Sequence, residues 1–419
     1  MQTGLQQIHK QMKDHLENGI IPFWKQNGID EINGGYKLCY DLNGKKMPEN
    51  EKHTVTQTRM IWGFSLFGKA YHSEEMLDFA RQGVDFYIDH FWDKEYGGWY
   101  WLTDEKGNML DGAKLVYGQS FAIYALSRYA LDTGDKRAEE YAAKTFDLLQ
   151  IYAADTEYGG YYENFERDWT RTPFGKGAGD IKSLNIHMHL LEAFTTLAEC
   201  TRKEIHRRKL QEIIDFVLRN MTDLEIGCGF DQLGPDLKRR PAISIPRTWT
   251  QDREGTSEAA DPVDTTFYGH NLELIWLLNR AAQVLEKEAN AYDYVTRALS
   301  EHALTYGMDE KYGGFYYAGP YTGKATKLEK EWWENCEALI GLLDCYEKLG
   351  EDKYLDAFEK TWSFCYDHMI NHEVGEWCQL VTEDGKVIDG TIGNLWKGIY
   401  HTGRSMFECL ERLERIMAD

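Results

Sequence analysis

The stretch Gly97-Gly98-Trp99-Tyr100 decides the fold, because turns of this kind return along the chain at regular intervals. The six turns share paired or near-paired glycines and an aromatic residue, and the other five are Gly34-Gly35-Tyr36, Gly159-Gly160-Tyr161-Tyr162, Gly227-Cys228-Gly229-Phe230, Gly313-Gly314-Phe315-Tyr316 and Gly375-Glu376-Trp377. Counted from the first glycine, successive turns are 63, 62, 68, 86 and 62 residues apart. Such periodicity predicts an architecture built from equivalent units.

The longest interval has a visible cause in the sequence. Residues 234–262 are polar and contain several prolines, which is typical of an irregular connection rather than of a helix or strand. We therefore interpret the segment from about 232 to 262 as an inserted loop.

Between the turns, apolar residues recur at helical spacing. The pattern predicts twelve helices, at about 3–23, 55–72, 75–92, 112–133, 136–154, 181–201, 204–220, 264–285, 288–306, 328–349, 351–369 and 392–416. Two helices per turn, repeated six times, predict an all-α fold, the (α/α)6 barrel, with an inner and an outer ring of six helices. Short β-hairpins would join the helix pairs, and residues 1–419 would form one domain. Aromatic residues at the turns would either line one end of the barrel, where a ligand could stack on them, or pack within the hairpins.

Composition restricts the class of ligand. The net charge of -22 argues against nucleic acid or an anionic membrane as a partner and favours a neutral ligand. The eight cysteines are scattered without a Cys-x-x-Cys pair, which gives no support for zinc or redox motifs and is typical of free thiols in a reducing compartment. The sequence shows no leader segment and no bilayer-spanning apolar run, so we expect a cytoplasmic protein.

Each helix that follows a turn carries an unexpected polar or aromatic group near its start. These candidate site residues are Arg59, Tyr117, Asn185, His189, His270, Glu273, Trp332, Glu337, Trp396 and His401. A charged or imidazole group in an apolar helix is costly unless it is paired or faces a water-filled cavity. One such histidine is more often a satisfied core group, but six inner helices that converge on one cavity predict a shared active site.

Two spacings predict side-chain orientation. His270 and Glu273 lie one helical turn apart, so the carboxylate could orient the imidazole. His187 and His189 are about 160 degrees apart on a helix, and we expect His189 to face the cavity and His187 to face away.

Known cofactor motifs are absent from the sequence. We find no clustered metal ligands, no phosphate-binding Gly-x-x-x-x-Gly-Lys-Ser/Thr loop and no Gly-x-Gly-x-x-Gly after a strand. These absences favour acid/base chemistry without metal or cofactor, on a neutral hydroxylated ligand held by tryptophans.

At these residues the chain resembles the N-acylglucosamine 2-epimerase superfamily, and is most similar to its cellobiose 2-epimerase branch. The motifs that carry the resemblance span the chain: Thr58-Arg-Met-Ile-Trp62, Tyr117-Gly-Gln-Ser-Phe-Ala-Ile-Tyr124, Lys182-Ser-Leu-Asn-Ile-His-Met-His-Leu-Leu-Glu-Ala193, Tyr268-Gly-His-Asn-Leu-Glu273, Trp332-Trp333 with Glu337, and Trp396-Lys-Gly-Ile-Tyr-His-Thr-Gly-Arg404. The family has the (α/α)6 barrel. The resemblance implies interconversion of glucose and mannose at the reducing end of a cellobiose-type disaccharide, by ring opening and proton transfer at C2 through a cis-enediolate.

The resemblance also implies roles for the residues. His270 and His401 would transfer protons on opposite faces of C2, with Glu273 orienting His270. His189, helped by Asn185, would assist ring opening, and Arg59 would stabilise the enediolate. Glu337 would hold hydroxyls or support a histidine, Trp332 and Trp396 would stack on sugar rings, and Tyr117 would donate a hydrogen bond.

Two segments depart from the usual pattern of the branch, at positions where a second sugar could lie. They are Trp332-Trp-Glu-Asn-Cys-Glu337, where Trp-Trp-Pro-Gln-Ala-Glu is usual, and Lys397-Gly-Ile-Tyr-His401, where Lys-Cys-Pro-Tyr-His is usual. Alternatives therefore include a monosaccharide epimerase or isomerase acting on mannose, glucose, fructose or an N-acylated hexosamine. An inverting glycoside hydrolase using Glu273, Glu337 or Asp264, and a catalytically inactive sugar-binding protein, are further alternatives. We expect a monomer or a homodimer.

Overall fold

Helices dominate this computed structural model, which describes residues 2–172, 181–241 and 261–418. Within those ranges there are twelve helices, if the first is taken through a π-helical turn. They are α1 (Gln2–His15, Leu16–Ile20 and Ile21–Asn27), α2 (Thr54–Ala70), α3 (Glu74–Phe91), α4 (Val116–Thr133), α5 (Lys136–Leu148), α6 (Leu184–Thr201), α7 (Glu204–Asn220), α8 (Tyr268–Val284), α9 (Asp293–His302), α10 (Trp332–Leu349), α11 (Asp352–Phe364) and α12 (Ile399–Ala418).

The even-numbered helices form a closed inner ring. Each contacts the next in chain order, and α12 contacts α2 to complete the circle. The odd-numbered helices pack outside them, with α1 against α12. The predicted (α/α)6 barrel is confirmed.

Burial follows from this arrangement. In α2, every residue from Thr54 to Gly68 is buried, because neighbours surround an inner helix on all sides. Outer helices bury one face only and expose charged residues on the other, as in α7. Side-chain caps mark several helix starts: Ser73 accepts a hydrogen bond from Met76 N, and Asp135 accepts from Arg137 N and Ala138 N.

Short antiparallel strands join the helix pairs. They are β1 (Glu51–His53), β2 (Leu102–Asp104), β3 (Met109–Asp111), β4 (Lys114–Leu115), β5 (Asn164–Phe165), β6 (Lys182–Ser183), β7 (Thr222–Asp223), β8 (Cys228–Gly229), β9 (Gln232–Leu233), β10 (Thr265–Phe267), β11 (Ala318–Pro320), β12 (Lys330–Glu331), β13 (Ile370–Asn371), β14 (Glu376–Trp377), β15 (Leu380–Val381) and β16 (Val387–Asp389). The strand that opens an inner helix pairs with a strand after the next outer helix, as in β1–β2, β4–β5, β6–β9, β10–β11 and β12–β15. These pairings place the starts of the inner helices at one end of the barrel.

Five predicted helix starts were wrong by four to seven residues. The helices predicted from 112, 264, 328, 392 and 288 begin at Val116, Tyr268, Trp332, Ile399 and Asp293. In the first three cases the preceding residues form strands β4, β10 and β12 instead, because they pair with a neighbouring hairpin. The predicted insertion begins as β9, and residues 242–260 of it lie outside the described part of the chain.

Hydrogen bonds tie the glycine turns to the inner ring. The fourth residue of an inner helix accepts from the backbone N–H next to the turn glycines, in the pairs Gln57–Tyr36, Gln119–Trp99, His187–Tyr161, Asn271–Gly229 and Asn335–Phe315, at 2.8 to 2.9 Å. In the sixth unit Glu376 bridges instead, since it accepts from both Trp377 N and Thr402 Oγ1. Gly98 has φ of 74° and lies against Trp169 and Gln119, so a side chain there would be strained and crowded.

A buried lysine strengthens the same connection. Lys52, Lys114, Lys182 and Lys330 lie in strands before inner helices, and each donates to an aspartate that opens a glycine turn. The first aromatic residues of the turns pack inside these units; for example, Trp99 stacks on Tyr87 at 4.3 Å between ring centroids. The turn aromatics Tyr36, Trp99, Tyr161, Phe315 and Trp377 are buried, which matches hairpin packing and not the alternative of a ligand-stacking surface.

We predict that Lys330→Met lowers the free energy of unfolding by about 3–5 kcal/mol, the scale for a buried ion pair that loses one partner. The lysine Nζ lies 2.7 Å from Asp309 Oδ2 and also donates to the carbonyls of Gly313 and Glu383. Urea denaturation followed by circular dichroism measures the change. Lys360→Met is the matched control, because the Lys360 side chain is 50% exposed in its pair with Glu310, and should have little effect. Equal stability of the two variants would contradict the prediction.

Candidate active site

The sixth residue of each inner helix points to one buried ring of groups. These residues are Arg59, Phe121, His189, Glu273, Glu337 and Arg404, and all six are buried. Two further imidazoles, His270 and His401, are the third residues of α8 and α12. The closed helix ring thus brings the three predicted histidines and Arg59 to one level near the inner helix starts.

His189 is held by a carboxylate on its own helix. Its Nδ1 lies 3.0 Å from Glu192 Oε2, and its ring packs edge-on against Tyr117 with centroids 5.4 Å apart. Burial lowers the pKa of His189 despite the nearby Glu192 carboxylate. Burial alone would raise the pKa of Glu192, but Arg404 and His189 outweigh it and bring that pKa to about 2. Glu192 is therefore a carboxylate and His189 a neutral imidazole.

His401 has a similar support from the neighbouring helix. Its Nδ1 lies 2.7 Å from Glu337 Oε1, one of the two alternatives predicted for that glutamate. The other oxygen of Glu337 accepts from Trp276 Nε1 at 3.1 Å. Burial, with Arg59 and Arg404 nearby, lowers the pKa of His401 well below its usual range. Burial raises the pKa of Glu337, and the neighbouring Arg404 opposes that rise. The His401 ring is thus a neutral base with the Glu337 carboxyl group behind it.

His270 differs from the other two because it is partly exposed and its ring has no hydrogen-bond partner among the described residues. The ring lies against Trp333, with centroids 4.8 Å apart. Burial, with His189 nearby, lowers the pKa of His270 to about 3, so the ring is neutral at physiological pH. The predicted contact with Glu273 is not present: Glu273 Oε1 lies 3.1 Å from Arg404 Nη2, since the arginine is the stronger partner for a buried carboxylate.

Arg404 and Glu192 are functional candidates that the sequence reasoning missed. Arg404 is fully buried and contacts Glu192, Glu273 and Glu337 at once. Both residues lie inside quoted motifs, Arg404 at the end of one and Glu192 near the end of another. Counting to the sixth residue of each inner helix would have found Arg404, because that position carries Arg59, His189, Glu273 and Glu337 in the other units.

Arg59 lies across the ring from these carboxylates. Its Nη1 donates to the Trp396 carbonyl at 2.8 Å and its Nη2 to Tyr117 Oη at 3.1 Å. The guanidinium also lies over the Phe121 ring, 4.5 Å from the centroid. Its Nε is buried and has no hydrogen-bond partner in the described ranges, which leaves a donor for a ligand.

The remaining predicted ligand-binding residues lie around this ring. Tyr117 and Asn185 are partly exposed, and Asn185 Oδ1 has no partner among the described residues. Trp332 lies edge-on to His401 at 6.2 Å between centroids, and Trp396 lies 4.6 Å from His53. Trp333 was not singled out from the sequence, yet its ring lies within 6.2 Å of both His270 and His401.

His187 faces away from the site, as predicted. Its Nε2 accepts from Tyr161 N and its Nδ1 lies 2.8 Å from the Ser183 carbonyl, so both nitrogens serve the scaffold.

The two departures from the family pattern also lie in the scaffold. Glu334 Oε1 accepts from Gly269 N, Asn335 holds the turn at Phe315, and the Cys336 carbonyl accepts from Ser405. In the second segment the changed residues are Gly398, which lies against Met60 and Leu38, and Ile399, which is buried against Gly63. The prediction that these changes reshape a second sugar position therefore finds no support in their contacts.

Two further observations concern metals and membranes. Within residues 2–172, 181–241 and 261–418, no three His, Cys, Asp or Glu side chains are arranged to hold a metal ion. Over the same residues, every helix is too short or too polar to cross a bilayer.

The chain is similar over nearly its whole length to enzymes named as sugar epimerases and isomerases. It is 29% identical to the cellobiose 2-epimerase of Dictyoglomus turgidum, with 98% of this chain and 100% of the relative covered. It is 24% identical to the D-mannose isomerase of Marinomonas mediterranea, covering 96% of this chain and 97% of the relative. The solved cellobiose 2-epimerase of Bacillus thermoamylovorans superimposes with a TM-score of 0.86 at 26% identity, covering 97% of this chain and all of the other.

The sequence profile of the N-acylglucosamine 2-epimerase (GlcNAc 2-epimerase) family matches residues 34–405. That match includes every candidate site residue of the inner ring, from Arg59 on α2 to Arg404 on α12. The chain belongs to the N-acylglucosamine 2-epimerase family.

Proposed function

We propose that this protein is a cofactor-independent carbohydrate 2-epimerase that interconverts glucose and mannose residues at the reducing end of cellobiose-type disaccharides. The observation that carries the proposal is a pair of imidazoles, His270 and His401, at the same position of two inner helices and beside one Trp333 ring. Inversion at C2 needs a base on one face of the sugar and an acid on the other, and two histidines supply both.

His270 is suited to take the first proton. It is neutral, and without a hydrogen-bond partner in the described residues its ring is available to a substrate. The C2–H bond breaks, its electron pair forms the double bond of the enediolate, and the C1 oxygen gains the negative charge. His401 takes up a proton from solvent at Nε2, delivers it to the opposite face of C2 and returns to its neutral form, while His270 releases the C2 proton to solvent. The Glu337 carboxyl group, 2.7 Å from His401 Nδ1, stabilises the imidazolium that exists during this transfer. In the reverse direction the two histidines exchange roles.

Arg59 and His189 are suited to the C1 oxygen. The free Nε donor of Arg59 and its full positive charge would stabilise the enediolate oxygens, the task for which buried cationic donors are effective. His189, fixed at Nδ1 by Glu192, keeps its other nitrogen for proton transfer during ring opening. The unpaired Oδ1 of Asn185 and the hydroxyl of Tyr117 add acceptors and donors for sugar hydroxyls.

Glycoside hydrolysis is the less favoured alternative. An inverting hydrolase needs two carboxyl groups that flank the scissile bond with room for water. Glu273 and Glu337 are instead buried and both contact Arg404, so neither is available on its own.

The disaccharide substrate is favoured by the relatives, and the scaffold contacts of Glu334, Asn335 and Ile399 remove one argument against it. The similarity to a D-mannose isomerase keeps aldose–ketose isomerisation as the second candidate, because the same enediolate gives a ketose if the proton returns to C1. We also propose that the enzyme acts in the cytoplasm as a monomer or homodimer, in keeping with its acidic charge and its eight cysteines without disulfide bonds.

In deuterated water, we expect the chelator-treated protein to place deuterium at C2 of at least one sugar and to form its epimer. Cellobiose, mannose, glucose and N-acetylglucosamine are tested separately, and nuclear magnetic resonance (NMR) and mass spectrometry identify the products. Fructose from glucose or mannose would point to the isomerase. No incorporation into any sugar, or free glucose from cellobiose without a mannose-containing product, would contradict the proposal.

We predict that His270→Asn and His401→Asn each lower kcat about 100-fold or more, the usual cost of removing a general acid or base. Steady-state kinetics measures the loss, and circular dichroism checks the fold. His206→Asn is the control, because His206 is a buried histidine that contacts Thr201 and Phe146 outside the ring of site residues. Near-normal turnover in either site variant would remove that histidine from its role.

We predict that kcat/KM stays nearly constant from pH 8 down to about 5. A lowered pKa means that the neutral, basic imidazole persists at lower pH, so activity is lost only as the pH falls towards about 3, the pKa of His270. An unperturbed histidine would be mostly protonated at pH 5. The pH profile measured with the best substrate from the deuterium experiment tests this, and an acidic limb near pH 6.5 would contradict it.

A further inference from the structure

Arg404 connects all three carboxylates of the site. Its Nη1 donates to Glu192 Oε1 and to Tyr400 Oη, and its Nη2 lies 2.7 Å from Glu337 Oε1 and 3.1 Å from Glu273 Oε1. The guanidinium also lies between aromatic rings, 4.0 Å from the Tyr400 centroid and 4.8 Å from that of Trp276. One cation on α12 therefore binds side chains from α6, α8 and α10.

Two of these carboxylates are the supports of histidines. Glu192 contacts Nδ1 of His189 and Glu337 contacts Nδ1 of His401. A buried carboxylate that lacked a cation would take up a proton, because burial disfavours its charged form. A protonated carboxyl group could donate to Nδ1, which would put the imidazole proton on Nε2 and leave no lone pair there for a substrate.

We propose that Arg404 is a positioning residue that favours the ionised forms of Glu192 and Glu337 and thereby fixes His189 and His401 as Nδ1–H tautomers with basic Nε2 atoms. The catalytic importance of this role depends on the proposed function. Carboxylates behind catalytic or metal-bound histidines act in this way, and their loss commonly lowers activity or metal affinity by about 10- to 100-fold. Here one arginine serves two such pairs.

The proton balance is consistent with this role. When His401 Nε2 takes the proton from C2, the C–H pair becomes the enediolate double bond, and the imidazolium retains its Nδ1–H bond to Glu337. Arg404, Glu192 and Glu337 neither gain nor lose a proton in the cycle. Glu273 is the third carboxyl group on a single guanidinium, and burial with Glu337 nearby raises its pKa well above the usual range.

Other charged or titratable groups near Arg404 come from several helices. Tyr124 on α4 and Tyr400 on α12 have pKa values raised well above their usual range by burial, so both are neutral phenols. Arg59 on α2 also lies over the Tyr400 ring, 5.0 Å from its centroid. Arg404 and Arg59 both disfavour a charged His401, so removal of Arg404 affects the histidine and its carboxylate in the same direction.

Three variants test the role. Arg404→Met removes the cation, Arg404→Lys keeps a cation with fewer contacts, and Arg412→Lys is the matched control. Arg412 is also a buried arginine on α12 with three acidic neighbours, Asp344, Glu347 and Glu408, but it contacts no site histidine. Each variant is measured for kcat, KM, the acidic limb of kcat/KM and thermal unfolding. NMR of protein labelled with 15N in the histidine rings reports the tautomers of His189 and His401. Variants with His→Asn at each position assign the ring resonances.

For Arg404→Met we expect kcat to fall about 100-fold at neutral pH with KM nearly unchanged, and the acidic limb to move up by about one pH unit or more. The limb rises because the carboxylates now need a higher pH to ionise and because His401 has lost a neighbouring cation. The two ring tautomers should change to Nε2–H. Arg404→Lys should have a reduced kcat, with the acidic limb of kcat/KM and the ring tautomers unchanged from the wild type. Arg412→Lys should be less stable, with no change in kcat, in the acidic limb or in the tautomers.

In folded Arg404→Met, unchanged tautomers, or a lower kcat with an unshifted acidic limb, would overturn the role and leave Arg404 as a structural residue. If Arg404→Met does not fold, Arg404→Lys decides, and a kcat equal to that of Arg412→Lys would overturn it. The tautomer comparison needs no turnover. A wild-type protein without C2 exchange would therefore refute the proposed function while the role of Arg404 is still decided by NMR.

Discussion

The hydrogen bond between a glycine turn and the fourth residue of an inner helix is the contact on which the barrel depends. A turn that follows an outer helix has backbone donors that lie inside the protein, and a buried donor without a partner is costly. Gln57, Gln119, His187, Asn271 and Asn335 each satisfy one such donor, and they thereby set the rotation of their helices. Once the fourth residue is fixed outward, the sixth must face the centre, since it lies about 200 degrees further round the helix.

The centre of the ring is consequently a place where polar groups must satisfy one another. Arg404 neutralises part of the charge of Glu192, Glu273 and Glu337, and two of those glutamates in turn hold His189 and His401. His270 stands outside this network, beside Trp333 and partly open to solvent. The site thus contains two supported imidazoles and one unsupported imidazole, which is a chemical asymmetry on a scaffold of equivalent units.

Sequence periodicity was enough to predict the twelve helices and the ring, because the turn spacing and the apolar pattern are both local properties. It also predicted that His189 and not His187 faces inward, since a helix fixes that angle. It could not pair Glu273 with its partner. His270 lies three residues from Glu273 in sequence, whereas Arg404 lies 131 residues from it. Arg404 is the partner because its guanidinium donates a hydrogen bond to the buried carboxyl group. Helix starts at α4, α8 and α10 were misjudged for a related reason, as strand partners distant in sequence decide where those helices begin.

The place of α12 as the sixth inner helix in chain order has a consequence for synthesis on the ribosome. The glutamates of α6, α8 and α10 are made before the arginine that neutralises them, and His401 arrives with that arginine on the same helix. Until α12 closes the gap between α10 and α2, the partial ring lacks both His401 and Arg404. A nascent chain therefore cannot complete the site before the sixth inner helix docks.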